Sequence, residues 1–313
     1  MIRQITVIGA GTMGHAIAHV HAMSGYKVHL HETADAVRHS VMDRIASELA
    51  LMEAEGCIDA SDAARAIGNI TLFSDLGEAV AGSDYVIEAT PEILGLKQDL
   101  FMVLDKLCDE RTIFASNTSS LSLGEMVKYL PQARRERTLI SHWYNPGHLI
   151  PMVELSCFGD TAESVFKEVY DFHVRSGKKP VKVLKDVPGL IANRMLHALA
   201  REVFYLMEQG VASPEDIDQA LKFGPGFRSA TTGMLEVADM GGLDIWCTVQ
   251  DNLFRELNNS DMASDLLRGK VSEGKLGVKT GEGFFSYGED TRKDVVHGFH
   301  KRLINQLAVS KTY

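Results

Sequence analysis

Two residues that could exchange a proton lie close together in the middle of the sequence. His142 ends an apolar run and Glu154 lies in the next one, with Asn145-Pro146 predicted to turn the chain between them. Neutral imidazole, with a reference pKa of about 6.5, suits removal of a hydroxyl proton at physiological pH. A carboxylate on the other ring nitrogen would fix the tautomer and raise the basicity of the ring. We therefore predict that His142 and Glu154 form an acid–base pair.

A glycine pattern near the start of the chain could hold a phosphate. It directly follows an apolar strand and opens an amphipathic helix, and it consists of Gly9, Ala10, Gly11, Thr12, Met13 and Gly14. Gly9 would permit the tight turn, Gly11 would let a pyrophosphate approach the backbone, and Gly14 would let the helix pack against the sheet. The free N–H groups of the helix start would then receive the anion. We predict a dinucleotide-binding loop that includes Thr12 and Met13.

Glu32 predicts which dinucleotide binds. It closes the second predicted strand, where a carboxylate can accept hydrogen bonds from both ribose hydroxyls. A 2′-phosphate would meet a like charge there, and no arginine follows immediately to receive it. The expected cofactor is therefore NAD rather than NADP.

Other residue types give weaker signals. His15 and His19 have the i,i+4 spacing of metal ligands, but no acid on the same turn completes a site, so we expect no metal. The cysteines contain no CxxC pair and fit a reducing cytoplasm; they are Cys57, Cys108, Cys157 and Cys247.

Composition narrows the class of partner. The net charge is −10, which opposes nonspecific attraction to nucleic acid and to anionic membranes. No export signal is recognised at the first residues and no window is apolar enough to cross a membrane, so we expect a cytoplasmic protein whose partner is a small molecule.

The elements that must position these residues follow a βαβ rhythm. Short β-branched runs alternate with longer amphipathic stretches, at 5–9, 26–32, 69–73, 84–89, 111–116 and 137–142. This pattern predicts an α/β fold with a mainly parallel sheet, whose ligands collect beyond the carboxyl ends of the strands. Residues 33–69 are long enough for a helical pair. After a last strand signal at 178–184 the apolar spacing becomes helical, so we predict an NAD-binding domain over 1–185 and a helical substrate and dimerisation domain over 186–313.

Five sequence blocks together resemble the 3-hydroxyacyl-CoA dehydrogenase family, in the same order and over nearly the whole chain. They are GAGTMG, VIEATPE, SNTSSLS, HWYNP with VEL, and PGLIANR. The resemblance implies a Rossmann-type first domain, a helical second domain and a homodimer joined through the latter. It also implies that His142 and Glu154 are the catalytic dyad and that Ser119 and Asn193 orient the substrate.

The same resemblance implies further cofactor contacts from Glu92, Lys97, Ser119 and Asn145, the last beside the nicotinamide. Three of the positions that the resemblance singles out also have a plainer interpretation from the residues alone. Ser119 could cap a helix, Asn193 could be a buried helical amide, and Lys97 could be a solvated charge.

Two departures from the family pattern favour a free acid over an acyl-CoA. Pro151 stands where the fatty-acyl enzymes usually have a lysine, and Ile93 replaces a common asparagine. The resulting IPxVE form is similar to lambda-crystallin/gulonate 3-dehydrogenase, carnitine dehydrogenase and the pyridine-carboxylate dehydrogenase of vitamin B6 degradation. The resemblance also implies that, in acyl-CoA members, the helical pair after the second strand is usually lysine-rich and contacts the nucleotide end of CoA. Here residues 33–69 contain no lysine and carry a net charge of −4, which would repel that polyanion.

The resulting hypothesis is an NAD-dependent dehydrogenase that reversibly oxidises the hydroxyl of a 3-hydroxy acid, with hydride transfer to NAD. Arg228 is a weak candidate for binding the substrate carboxylate, as is Lys222. Three alternatives stay open: a 3-hydroxyacyl-CoA dehydrogenase of fatty-acid metabolism, a pyridine-carboxylate alcohol or aldehyde dehydrogenase, and a noncatalytic NAD-binding protein of the crystallin type.

Overall fold

The short β-branched runs form the strands of one sheet. A computed structural model describes residues 1–312, and its strands are β1 (Gln4–Ile8), β2 (Lys27–His31), β3 (Ile70–Phe73), β4 (Tyr85–Glu88), β5 (Ile113–Ser116), β6 (Thr138–Trp143), β7 (Met152–Ser156) and β8 (Lys179–Val183). Every residue of β4, β5 and β6 is buried. Continuous burial of this kind is typical of strands covered on both faces by helices.

The strand order explains where a ligand can bind. The strands lie in the order β3-β2-β1-β4-β5-β6-β7-β8. Neighbours pair in parallel except β6 and β7, which pair antiparallel. The order reverses between β1 and β4, and in such sheets ligands bind beyond the carboxyl ends of the strands at this point. The predicted α/β fold with a Rossmann-type, mainly parallel sheet is therefore confirmed.

Helices cover the sheet and connect its strands. They are α1 (Gly14–Met23), α2 (Asp35–Ala54), α3 (Ala60–Asn69), α4 (Leu76–Val80), α5 (Leu94–Leu107), α6 (Leu123–Val127), α7 (Gln132–Arg135) and α8 (Glu163–Arg175). The helical pair expected over 33–69 is present as α2 and α3. In α2 the buried positions are Val41, Ile45, Leu49 and Met52, and α3 begins with a capping box between Asp59 and Asp62.

The chain divides into two compact units. The first comprises Met1–Asn193 with Leu303–Leu307, and the second comprises Arg194–Arg302 with the residues from Ala308 onward. The boundary predicted near residue 185 falls shortly before Asn193. In the first unit the main core lies between the sheet and helices such as α1 and α8, and Ile304 packs with Met52 and Leu149.

The second unit is helical, as predicted. Its helices are α9 (Ala192–Glu208, whose first two residues belong to the first unit), α10 (Pro214–Phe223), α11 (Pro225–Ser229), α12 (Met234–Gly241), α13 (Leu243–Leu253), α14 (Asp265–Ser272) and α15 (Arg292–Val309). Short 3-10 turns follow at Glu289–Thr291 and Ser310–Thr312. Gly210 has φ of +64° just after α9, and the Ser213 side chain accepts a hydrogen bond from the Asp216 amide at the start of α10.

The second unit exposes much apolar surface. Among its described residues only Ile217 and Val237 are buried hydrophobics. Large side chains such as Met195, Leu235 and Ile245 are more than half exposed in the single chain. In the described part of the chain, no helix combines the length and apolarity needed to cross a membrane.

Gly14, the first residue of α1, packs against the backbone of Gly9, directly after β1. A Cβ atom on Gly14 would lie 1.7 Å from the carbonyl oxygen of Gly9, whereas one on Gly11 would meet no atom within 4 Å. Gly9 itself has φ of +94°, which lets the chain turn sharply from β1 into the loop. The three glycines therefore serve the turn, the open approach and the close packing that the sequence predicted.

Replacing Gly14 by alanine is expected to destabilise the protein. The added methyl group must displace backbone, so Gly14→Ala should lower the free energy of unfolding by about 1–3 kcal/mol. Denaturant titration followed by circular dichroism measures this change. Gly68→Ala is the control, because Gly68 lies in α3 with open space around a new Cβ. Equal stability of Gly14→Ala and Gly68→Ala would contradict the proposed packing constraint.

Candidate active site

A cleft of about 890 Å³ opens at the carboxyl ends of the central strands. Its walls include the glycine loop, the end of β2, and the segments that follow β4 and β5. Of the predicted cofactor residues, the cleft is lined by Gly9, Gly11, Thr12, Met13, Glu32, Glu92 and Ser119. The first unit thus brings together residues that are far apart in the sequence.

Glu32 occupies the cleft with both carboxylate oxygens already oriented. Oε2 accepts a hydrogen bond from the Ala10 amide at 3.0 Å, and Oε1 accepts one from the Ala34 amide at 2.9 Å. Arg38 donates to the backbone carbonyl of Glu32 and pairs with Asp35. These contacts fit NAD: the glycine loop is open over Gly11, and the carboxylate stands at the end of β2 with oxygen lone pairs left for ribose hydroxyls.

Glu92 organises the loop that carries Ser119. Its Oε1 atom accepts hydrogen bonds from the Thr118 hydroxyl at 2.6 Å and from the Ser119 and Ser120 amides at 3.0 and 3.1 Å. Burial alone would raise the pKa of Glu92, but the Thr118 hydroxyl and the Lys97 ammonium together bring it below its usual value. An ionised Glu92 therefore holds the backbone of this loop in place.

Lys97 is buried rather than solvated. Its ammonium group lies 2.6 Å from Oε1 of Glu88 and 3.5 Å from Oε2 of Glu92, and only 1% of its side chain is exposed. Ser116 donates a second short hydrogen bond, of 2.5 Å, to Glu88. Lys97 is absent from the cleft lining, and its contacts hold the buried Glu88 and the cleft-lining Glu92. Sequence reasoning missed Glu88, although an acid inside an apolar strand was a usable signal.

His142 and Glu154 are directly opposite each other on β6 and β7. The antiparallel register pairs these two residues, and Nδ1 of His142 lies 2.8 Å from Oε2 of Glu154. Both residues are buried, with Glu154 wholly so. Because the partner is a carboxylate, Nδ1 carries the proton and Nε2 is left as the basic nitrogen. No hydrogen bond to Nε2 is seen from residues 1–312.

The second oxygen of Glu154 is held by the backbone. Its Oε1 atom accepts hydrogen bonds from the Ile191 and Ala192 amides at 2.8 and 3.0 Å, at the start of α9. Burial by itself would raise the pKa of Glu154, yet the His142 ring and these amides bring it below its usual value. Glu154 therefore remains ionised and fixes the tautomer of His142.

Asn117 joins the dyad to the cleft. Its side-chain oxygen accepts a hydrogen bond of 2.8 Å from the amide of Trp143, the residue next to His142, and Asn117 itself lines the cleft. The sequence contained it within the SNTSS block without indicating this role.

Lys178 supports the loop between the two dyad strands. Its ammonium group donates to the carbonyl oxygens of Gly147 and Ile150 at 2.6 and 2.8 Å, and it lies 4.4 Å from the centre of the Trp143 ring. The same loop contains the cis peptide between Asn145 and Pro146. Burial lowers the pKa of Lys178 to about 7. No sequence signal distinguished it from its exposed neighbour Lys179.

The remaining predicted residues lie elsewhere. Asn193 is the second residue of α9, next to the amides that bind Glu154, and Asn145 lies in the loop after β6 outside the cleft lining. Arg228 is an exposed residue of α11, and Lys222 is an exposed residue of α10. Both belong to the second unit, so they are not among the residues that the first unit assembles.

The glycine loop, the strand order of the sheet and the His142–Glu154 pair on β6 and β7 are typical of an NAD-dependent dehydrogenase. Residues 4–187 match the model of the 3-hydroxyacyl-CoA dehydrogenase NAD-binding domain, and residues 189–287 match the model of the 3-hydroxyacyl-CoA dehydrogenase C-terminal domain. The chain therefore belongs to the 3-hydroxyacyl-CoA dehydrogenase family, and the predicted family, enzyme class and cofactor are confirmed.

Individual relatives span the whole molecule. The chain is 37% identical over 296 residues to 5-formyl-3-hydroxy-2-methylpyridine 4-carboxylate 5-dehydrogenase of Mesorhizobium japonicum, covering 94% of this chain and 93% of that one. It is 36% identical to the mitochondrial hydroxyacyl-coenzyme A dehydrogenase of Homo sapiens, covering 92% of each. A crystal structure of the former type of enzyme, described as an NAD+-dependent dismutase, superposes with a TM-score of 0.90 at 34% identity and 99% coverage of both chains.

Burial of Lys178 should make stability rise with pH above neutrality. Native Lys178 loses its proton near pH 7 whereas the unfolded lysine keeps it to about 10.5, so the unfolded state binds more protons in this window. Compared with Lys178→Met, the wild type should therefore gain up to about 1 kcal/mol in unfolding free energy per pH unit between pH 7 and 9. Urea unfolding at pH 7, 8 and 9 provides the measurement.

Lys179→Met is the matched control for this experiment, because Lys179 is exposed and follows directly in the chain. Its stability should change with pH in parallel with that of the wild type. Parallel pH curves for the wild type and Lys178→Met would instead contradict the lowered pKa of Lys178.

Proposed function

We propose that this dehydrogenase oxidises the hydroxyl group of a small free carboxylic acid, with His142 as the base. The His142–Glu154 pair carries this proposal, since a buried, ionised carboxylate leaves Nε2 of the ring as the proton acceptor. When NAD is bound, it supplies the hydride acceptor for the carbinol hydrogen. The chain's own task is to take the hydroxyl proton at Nε2 of His142 and to hold the resulting imidazolium beside Glu154.

The other residues of the site orient the reactants. Ser119 lies in the cleft on a loop held by Glu92, and Asn193 follows the amides that bind Glu154. We assign to both residues a contact with the substrate oxygen. Gly9 through Gly14 and Glu32 bind NAD, with Asn145 beside the nicotinamide. For Lys97 we propose an indirect role in cofactor binding: it is shielded from solvent and forms ion pairs that hold Glu88 and Glu92.

Charge supports a free acid rather than a CoA thioester. The α2–α3 pair carries no lysine and has exposed acids such as Asp43 and Glu53, so the nucleotide of CoA would meet like charges there. The pyridine-carboxylate relative is named for a substrate that carries a carboxylate. Pro151, immediately before β7, and Ile93 are the departures that set this chain apart from the fatty-acyl pattern.

The proposed organisation assigns NAD binding to residues 1–185 and substrate binding and dimerisation to residues 186–313. The exposed apolar residues of the second unit support a homodimer, because a surface of this kind is typical of interfaces. All four cysteines are free thiols, which supports a cytoplasmic location.

A panel of substrates tests the proposed chemistry. Turnover of 3-hydroxy acids, pyridine carboxylates with alcohol or aldehyde groups, and 3-hydroxyacyl-CoA thioesters is followed through NADH absorbance. We expect kcat/KM for the best free acid to exceed that for the best thioester by roughly tenfold or more, equivalent to about 1.4 kcal/mol. Thioester activity should also rise with salt, as screening weakens the repulsion.

Charge reversal at Asp43 and Glu53 sharpens this test. Asp43→Lys with Glu53→Lys should raise thioester activity and leave free-acid activity unchanged. A preference for thioesters in the wild type would overturn the substrate proposal. Tight NAD binding with no turnover of any compound would favour the noncatalytic alternative.

Replacement of the proposed base tests the dyad. His142→Ala should lower kcat by about two to four decades while the Kd for NAD changes little, and Glu154→Gln should show a loss of about the same order. Steady-state kinetics and NAD titration measure the two effects. His39→Ala, at an exposed position of α2, is the control. Retention of normal turnover in His142→Ala would reject the assigned base.

A further inference from the structure

Two histidines and a glutamate converge inside the first unit, apart from the residues assigned to proton transfer. They are His19 of α1, Glu48 of α2 and His148 of the loop after β6, and their potential ligand atoms all lie within 4.8 Å of one another. Oε2 of Glu48 lies 3.7 Å from Nδ1 of His19 and 3.6 Å from Nδ1 of His148. None of the three residues lines the cofactor cleft.

His19 is the unexplained member of this group. Its side chain is 0% exposed, and neither ring nitrogen has a hydrogen-bond partner among residues 1–312. The 3.7 Å contact with Glu48 is too long for a hydrogen bond. A buried polar group without a partner is costly, and an ion is one of the few arrangements that would account for it.

The spacing of the donor atoms suits a small ion. Metal–nitrogen and metal–oxygen bonds of about 2.0–2.1 Å in a tetrahedral site place neighbouring ligand atoms roughly 3.3–3.5 Å apart. The two distances from Glu48, 3.6 and 3.7 Å, exceed this range by only a few tenths of an ångström. The ligand atoms of the two histidines lie within 4.8 Å of each other, so side-chain rotation has to bring the two rings closer to complete the three-donor set.

The chemistry of the donors indicates the class of ion. Two imidazoles and one carboxylate form a set that zinc binds well, whereas calcium and magnesium prefer all-oxygen sites. Imidazole ligates metals in its neutral form, and the ring of His19 is wholly buried with both nitrogens unpartnered among the described residues.

His15 contacts the carboxylate of Glu48 and orients it. Nε2 of His15 lies 3.0 Å from Oε1 of Glu48, and Nδ1 of His15 lies 2.7 Å from the carbonyl oxygen of Gly11 in the glycine loop. Nε2 of His15 also lies 3.1 Å from Oε2 of Glu48, the oxygen that faces His19 and His148, so His15 orients the whole carboxylate toward the two rings. Such support orients metal-binding carboxylates in known sites.

We propose that His19, Glu48 and His148 form a binding site for a divalent ion of the zinc class. The site joins α1, α2 and the loop after β6, and it is separate from both the cofactor cleft and the His142–Glu154 pair. The sequence led to the opposite expectation, because the i,i+4 partner of His19 is His15, whereas the donors that converge on His19 come from two other elements.

Titration of the full-length protein with Co²⁺ and Zn²⁺ tests this proposal. After removal of bound metal with a chelator, one Co²⁺ per chain should produce the strong visible absorption of a tetrahedral site, and Zn²⁺ should displace it. His19→Gln and Glu48→Gln should each weaken binding at least tenfold, a loss typical of altered metal sites. His39→Gln, an exposed histidine on α2, should bind like the wild type.

A stability measurement separates loss of the site from loss of the fold. Zn²⁺ should raise the Tm of the wild type and of His39→Gln but not that of His19→Gln, and His148→Gln should repeat the loss of binding. Circular dichroism and NAD binding show whether each variant is folded. Absence of stoichiometric Co²⁺ binding, or unchanged affinity in folded His19→Gln and His148→Gln, would overturn the proposal.

Discussion

One buried carboxylate connects the ring of His142 with the chain that leads into the second unit. Glu154 holds Nδ1 of His142 through one oxygen and the first amides of α9 through the other. A carboxylate removed from water is costly unless its lone pairs are satisfied, and here donors on both sides satisfy them. The ring orientation, its tautomer and the path of the chain toward Asn193 therefore depend on the same group, and none of these features can change without the others.

A second group of charges, centred on the buried Lys97, holds residues of the cleft. Lys97 lies between Glu88 and Glu92, and Glu92 in turn binds the backbone of the Ser119 loop. The ion pairs hold the Ser119 loop, and the close contact of Gly14 with Gly9 fixes the path of the glycine loop. Contacts of this kind order a site before a ligand enters, which lowers the ordering cost of binding.

The strands, the α2–α3 pair and the candidate dyad could be predicted from the sequence, because each is encoded by a pattern of nearby residues. Alternating apolar runs gave the strands, helical spacing gave the α2–α3 pair, and the resemblance to a family pointed to His142 and Glu154. Contacts between distant segments were not predictable. In the sequence Lys97 resembles any solvated lysine, and only the fold places Glu88 of β4 next to it. In the same way, only the contacts of Lys178 with the loop after β6 distinguish it from Lys179. The meeting of His19 with Glu48 and His148 likewise depends on how α1 and α2 pack.

In the antiparallel pair of β6 and β7, the strands align His142 with Glu154, and the loop that joins the strands is left for other contacts. Backbone hydrogen bonds of the ladder set the register that puts His142 opposite Glu154, so the intervening turn has no part in aligning them. The loop between the two strands can therefore serve other contacts, and it carries both Asn145 and His148. Substitutions elsewhere in this loop could change which compounds fit, while the strand ladder still aligns His142 with Glu154.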